Sequence, residues 1–177
     1  MADFNIDRQQ ADLIQNADTV INFGAPPVNH RAVAAAALEA GEYDRVIGHL
    51  KRVLETNPGD SLARFRLVLA ALRGRHPDHY GARQIQALKE RLVRLAMDDP
   101  DCHHAKVLAL VVNDGLLARG NLRASPPTAD TRRLVALVDP ARGREILMHA
   151  PVPESPTWSL LDRRLRRPTL RPTSREN

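Results

Sequence analysis

From Asn29 to about Gly120 the apolar positions recur every three or four residues, the spacing of one helix face, and Pro, Gly and Asp interrupt that pattern at intervals. The pattern predicts five helices, at roughly 30–40, 43–56, 61–73, 80–98 and 102–118. Asn29 stands where an N-cap is needed, Asp60 can cap the third helix, and Asp101 can cap the fifth behind Pro100. Gly41 precedes the second helix and Asn57-Pro58-Gly59 ends it. Val46, Ile47, Leu50, Val53 and Leu54 share one face. Leu62, Phe65, Leu69 and Leu72 form a second stripe, and Ile85, Leu88, Leu92, Leu95 and Ala96 a third. Helices that are apolar on one side only need a neighbour to cover that side, so the segment reads as packed hairpins.

The flanks read differently. In residues 1–24 the apolar positions Phe4, Ile6, Leu13, Ile14, Val20, Ile21 and Phe23 are interleaved with Asn, Gln and Asp. That spacing predicts two or three short strands, with a single helix over 7–16 as the alternative. Strands this short need partners, so this leader is a candidate for pairing with itself, with the helices or with another copy of the chain. It resembles the Gln- and Asn-rich leaders at the front of multidomain bacterial signalling proteins. Gly24-Ala25-Pro26-Pro27 separates it from the helices. Residues 121–154 read as a linker, Ser125-Pro126-Pro127, followed by a degenerate segment in which Asp139-Pro140 opens a helix through Met148. Ser155-Pro156 opens a last helix to about Arg167, and Pro168 and Pro172 mark a tail expected to be disordered.

Composition narrows the class. Six aromatic residues among 177 leave the core to Leu, Val, Ile and Ala, which favours helix packing over a β-sandwich. The single cysteine, Cys102, excludes an intramolecular disulfide and fits a reducing cytoplasm. The first residues carry acids and no apolar run, unlike a secretory signal, and no window is apolar enough for a membrane span. The expected location is therefore cytoplasmic. Residues 1–60 hold 5 basic and 9 acidic side chains, residues 61–123 hold 11 and 6, and residues 155–177 hold 6 and 2. An acidic front thus precedes a basic middle and a basic tail.

Self-similarity adds a family. The run Ala37-Leu38-Glu39-Ala40-Gly41-Glu42-Tyr43-Asp44-Arg45-Val46-Ile47, continued by Leu50, Val53-Leu54 and Asn57-Pro58, resembles a tetratricopeptide repeat. Gly41, Tyr43, Val46, Leu50, Val53 and Pro58 take the family's small, aromatic, inner-face and terminating positions, and Pro27 to Asp60 matches its 34-residue period. A second unit follows at an offset of 42, with Leu50, Arg52, Pro58 and Ala63 matched by Leu92, Arg94, Pro100 and Ala105. The extra residues fall in the loop from Gly74 to Gly81. Arg133-Leu134-Val135 is a candidate for a decayed third copy. The resemblance covers residues 27–118 and implies antiparallel hairpins stacked as an α-solenoid, with a surface for a peptide or protein partner and no catalytic role.

His76 and His79 form one group and Cys102, His103 and His104 another. The intervening helix of about 19 residues would be about 28 Å long, so the two groups cannot share a metal ion. A cysteine at a helix start has its thiol pKa lowered, which makes Cys102 a candidate reactive thiol. No glycine-rich phosphate loop occurs. No cofactor or metal is therefore expected. Arg45, Arg52, Arg64, Arg66, Arg91 and Arg94 are candidates for meeting an acidic partner segment, since guanidinium groups recognise carboxylates in bidentate fashion. In the last helix Trp158, Leu161 and Leu165 share a face, with Arg163, Arg164, Arg166 and Arg167 mostly on the others. This helix reads as a cap for the open end of the stack, as a docking helix for a partner protein, or as an anion-seeking arm. The expectation is a non-enzymatic adaptor; the alternative is a nucleic-acid- or anion-associated protein that contacts phosphates through its basic middle and tail.

Overall fold

The structure, a computed structural model, describes residues 28–166. Among them are eight α-helices, one 3-10 turn and no strand. The helices are α1 (His30–Glu39), α2 (Tyr43–Thr56), α3 (Ser61–Leu72), α4 (Ala82–Asp98), α5 (His103–Arg119), α6 (Ala129–Leu137), α7 (Pro140–His149) and α8 (Pro156–Arg166), with the 3-10 turn at Pro77–His79. The chain is thus mostly α, and its helices pack against one another in a way compatible with a helical repeat. The strand reading of residues 1–24, the pairing role given to them, Arg167 and the tail after it lie outside the described residues.

Local chemistry explains where the helices start. The side chain of Asn29 accepts from the Ala32 amide at 3.1 Å, and that of Asp60 from the Ala63 amide at 2.9 Å. Asp139 accepts from the amides of Ala141 and Arg142, with Pro140 in the first turn. Each such cap is worth about 1 kcal/mol. The fifth helix departs from expectation. Cys102, not Asp101, holds the N-cap position, without a side-chain cap bond. Asp99 turns the chain instead, accepting from the Asp101 amide at 3.2 Å. A further helix, α6, lies between the Ser125-Pro126-Pro127 linker and Asp139, in the segment read as degenerate. Thr128 starts it by accepting from the Thr131 amide at 3.1 Å.

The 42-residue offset is visible in the backbone. Asn57 ends α2 at φ −140°, ψ 83°, and Asp99 ends α4 at φ −134°, ψ 92°. The amide of Asn57 donates to the Val53 carbonyl at 2.8 Å, and that of Asp99 to the Leu95 carbonyl at 2.9 Å. The matched positions Leu50 and Leu92 are both buried, as are Ala63 and Ala105.

Two apolar clusters divide the interior. The smaller joins α1, α2 and one side of α3 through Ala34, Ala37, Leu38, Val46, Leu50, Val53, Ala63 and Ala70. Its alanines let the backbones approach closely, which accounts for the alanine-rich first helix. The larger runs from the other side of α3, at Phe65, Leu69 and Leu72, through α4 and α5 to Val135, Val138, Ile146 and Leu161. α8 packs on α5, α6 and α7. α3 is therefore the wall shared by both clusters.

Candidate functional site

α3 faces both clusters, and between α2 and α4 its Arg64, Leu67, Val68 and Ala71 fall along one helix side, Val68 buried and the other three half-buried. On α2 the deepest positions are Val46, Leu50 and Val53, while Ile47 and Leu54 stand at the edge of the stripe, half-buried. On α4 the inward Leu88, Leu92 and Leu95 leave Arg91 and Arg94 just outside the packed side. These edges meet in a groove of about 480 Å³ lined by Ile47, Lys51, Leu54, Arg64, Leu67, Val68, Ala71, Arg91 and Arg94. Its volume is that of a ligand-binding cleft, commonly ~300–1,000 Å³.

The lining is aliphatic below and cationic around, with no acidic side chain. Arg64 is tied to Asp98 at 2.7 Å. Lys51, Arg91 and Arg94 make no ion pair among the described residues and are exposed. Three cations around an apolar floor attract anions through water. The same floor can cover aliphatic side chains.

The other candidate arginines are placed elsewhere. Arg45 is exposed on α2 and pairs with Glu42 at 2.9 Å. Arg52 is exposed with no ion pair among the described residues. Arg66 is largely enclosed and holds Glu145 of α7 at 2.7 Å, so it ties α3 to α7 within the fold. In α8, Leu161 is wholly buried, and Trp158 and Leu165 pack on the larger cluster. As folded, that face covers the chain's own core and is not open to a partner. The Arg164 guanidinium donates to the carbonyls of Val135 and Val138, closing the end of α6. Arg166 pairs with Asp162 at 2.8 Å, and Arg163 donates to the Ser159 carbonyl. Lys51 was missed in the sequence. The signal available was its place four residues after Ile47 and three before Leu54, at the rim of a stripe wider than one neighbour covers.

The cysteine and histidines do not form reactive chemistry. Cys102 Sγ lies 3.2 Å from His104 Nε2, but the thiol is buried, and burial pushes its pKa up despite the helix start behind it. Burial, with Arg142 nearby, holds His104 below the usual His range, and its ring meets Phe65 edge-on with centroids 4.4 Å apart. The reactive-thiol expectation for Cys102 is thus corrected: a neutral thiol beside a neutral imidazole, shielded from solvent, is a poor nucleophile. His76 bridges Asp78 and Glu154, linking the 3-10 turn to the loop before α8. Among the described residues no three His, Cys, Asp or Glu side chains converge as metal ligands, and no helix is long and apolar enough to cross a membrane. Comparison of the chain with protein-family models, curated proteins and solved structures finds no match.

Proposed function

We propose that this protein is a non-enzymatic interaction module of tetratricopeptide-like hairpins, stacked as an α-solenoid, that holds an acidic segment of a partner protein in the α2–α3–α4 groove. The observation that carries this reading is the groove itself: Lys51, Arg91 and Arg94, without an ion pair among the described residues, around Ile47, Leu54, Leu67 and Ala71. Carboxylates of the partner meet the cations, and its aliphatic side chains cover the floor. The repeated turns at Asn57 and Asp99, 42 residues apart, support the hairpin stacking.

A nucleic acid would also meet the cations, which keeps phosphate binding as the second reading. Two features favour the peptide. The floor is aliphatic, which suits side chains better than a sugar-phosphate backbone, and no aromatic residue lines the groove for bases to stack on.

The test is fluorescence anisotropy with three probes: a short Glu/Leu peptide, its Gln/Leu counterpart and a single-stranded oligonucleotide. The Glu/Leu peptide is expected to bind best and to hold through moderate salt. Lys51→Glu with Arg91→Glu and Arg94→Glu should weaken it at least about tenfold, the equivalent of about 1.4 kcal/mol. Unchanged binding by that triple variant would sink the reading. Preference for the oligonucleotide, falling steeply as salt rises, would shift the assignment to phosphate recognition.

A further inference from the structure

Two segments of this chain lie outside the described residues, and only one of them matches the groove. Residues 1–27 carry Asp3, Asp7, Asp12 and Asp18 against Arg8, while residues 167–177 carry Arg167, Arg171 and Arg175 against Glu176. Lys51, Arg91 and Arg94 around the groove attract the first segment and repel the second. Within the acidic segment, Asp12-Leu13-Ile14 and Asp18-Thr19-Val20-Ile21 each set a carboxylate close to two adjacent aliphatic residues. The lining is the complement of that pattern, cations around Ile47, Leu54 and Leu67. Attachment favours the same segment. His30, at the start of α1, meets His49 of α2 with the two Nδ1 atoms 2.8 Å apart, and Arg31 reaches Asp60 at 2.6 Å. The segment therefore joins the fold beside α2 and the start of α3, both walls of the groove. Lys51 lies two residues beyond His49, and Arg64 about one helical turn beyond Asp60.

On the premise that the groove binds acidic segments, we propose that residues 12–21 occupy it within their own chain until a partner's acidic segment displaces them. Along α3 the groove runs from Arg64 to Ala71, about 10 Å at 1.5 Å per residue. A chain extended at about 3.3 Å per residue covers that length in about three or four residues, the size of either Asp-led piece. The connection is long enough: residues 22–28 can span up to about 25 Å, against about 6 Å of α3 from Asp60 to Arg64. Tethering raises the local concentration of the segment to about the millimolar range, so a piece of low intrinsic affinity still fills the groove. A groove filled about nine-tenths of the time takes up a partner about tenfold more weakly.

The test is anisotropy of the Glu/Leu peptide with the full chain and with two full-length leader variants, Asp12→Asn with Asp18→Asn and Leu13→Ser with Ile14→Ser. Each variant is expected to bind the peptide at least about threefold more tightly than the parent chain, a gain that damage to the fold could not produce. Carbodiimide coupling, which joins a carboxylate to a lysine amine with loss of water, gives a second readout. The chain has three lysines, and of these Lys51 lines the groove. Mass spectrometry should find Asp12 or Asp18 joined to Lys51, and an excess of the Glu/Leu peptide should suppress that product. Peptide binding that needs Lys51, Arg91 and Arg94 but is unmoved by both leader variants would overturn the proposal while the groove keeps its role. Coupling to Lys89 or Lys106 in place of Lys51 would do the same. Peptide binding unmoved by the Lys51→Glu, Arg91→Glu, Arg94→Glu variant would remove the groove's role, and this proposal with it. A Lys51 product found only in a dimer, with a gain in affinity that fades on dilution, would give residues 12–21 to the groove of a second copy and overturn the intramolecular form.

Discussion

The α1–α2 hairpin and the α3–α8 body are built from similar helices but hold themselves together differently. The hairpin and the α3 side it rests on bury eight residues, four of them alanines, while the larger cluster buries twenty, including Phe65 and nine leucines or isoleucines. Small side chains bring backbones close but remove little apolar area from water, at about 25 cal/mol per Å². The hairpin therefore leans on α3 and on a few polar ties. Arg31 reaches Asp60 at 2.6 Å, Arg73 pairs with Asp44, and the Tyr43 hydroxyl meets His149 Nδ1 at 3.2 Å. The proposed groove lies along this seam, with α2 on one side and α4 on the other. A wall that belongs to the less stable partner can adjust to a ligand while the other wall stays fixed.

The equivalent positions Leu50 and Leu92 test this contrast most strongly. Both are 1% exposed or less, so Leu50→Ala and Leu92→Ala should each cost about 2–5 kcal/mol. Their consequences should differ. Leu92→Ala should lower the denaturation midpoint of the whole protein, whereas Leu50→Ala should first lose amide-exchange protection in α1 and α2. Loss of protection over the same amides in both variants would mean that hairpin and body unfold as one unit.

A smaller effect is expected at Gly74. It sits at φ +63°, and a Cβ there would lie 2.5 Å from the Tyr43 hydroxyl. Gly74→Ala should cost about 1–3 kcal/mol through backbone strain and displacement of Tyr43. If the seam holds the hairpin, thermal melts of this variant should broaden and become two-step. A single sharp transition would place the coupling elsewhere.

The smallest effect is a pH dependence. Burial holds both His104 and His149 below the usual His range. The unfolded chain takes up protons near pH 6.5, while the folded rings do so only at lower pH. Their stabilisation is thus fully present above about pH 6.5 and is lost as pH falls towards the folded values. His149→Gln should flatten part of that slope at the seam, and His104→Gln part of it in the body, read from denaturation midpoints between neutral and mildly acidic pH. A slope unchanged in both variants would assign the acid sensitivity to other groups.

Much of the fold was legible because helix signals are local. The boundaries of α2 were read from Gly41 and Asn57-Pro58, and the start of α7 from Asp139-Pro140. α6 was not legible as a helix: Pro126-Pro127 suggested a linker, and Leu134, Val135, Leu137 and Val138 lie too close together to display a helical period over nine residues. Cys102 was misjudged because the helix start is a local feature, while the burial that outweighs it comes from distant helices. The three arginines that line the groove, Arg64, Arg91 and Arg94, had been singled out by charge alone, in company with Arg66, which the fold uses for itself.

Sequence alone determined the helical class, the caps at Asn29, Asp60 and Asp139, the 42-residue offset and the acidic-to-basic change along the chain. All of these are written within a few residues or a simple count. Only the tertiary structure decided which cations find an acid. Arg66 finds Glu145 79 positions away, Arg64 finds Asp98 34 positions away, and Lys51, Arg91 and Arg94 find no acid among the described residues. The reason is geometric. A helix period specifies which side chains share a face, but α3 faces two clusters, and the side bearing Arg64 and Leu67 becomes a groove only when α2 and α4 settle on either side of it.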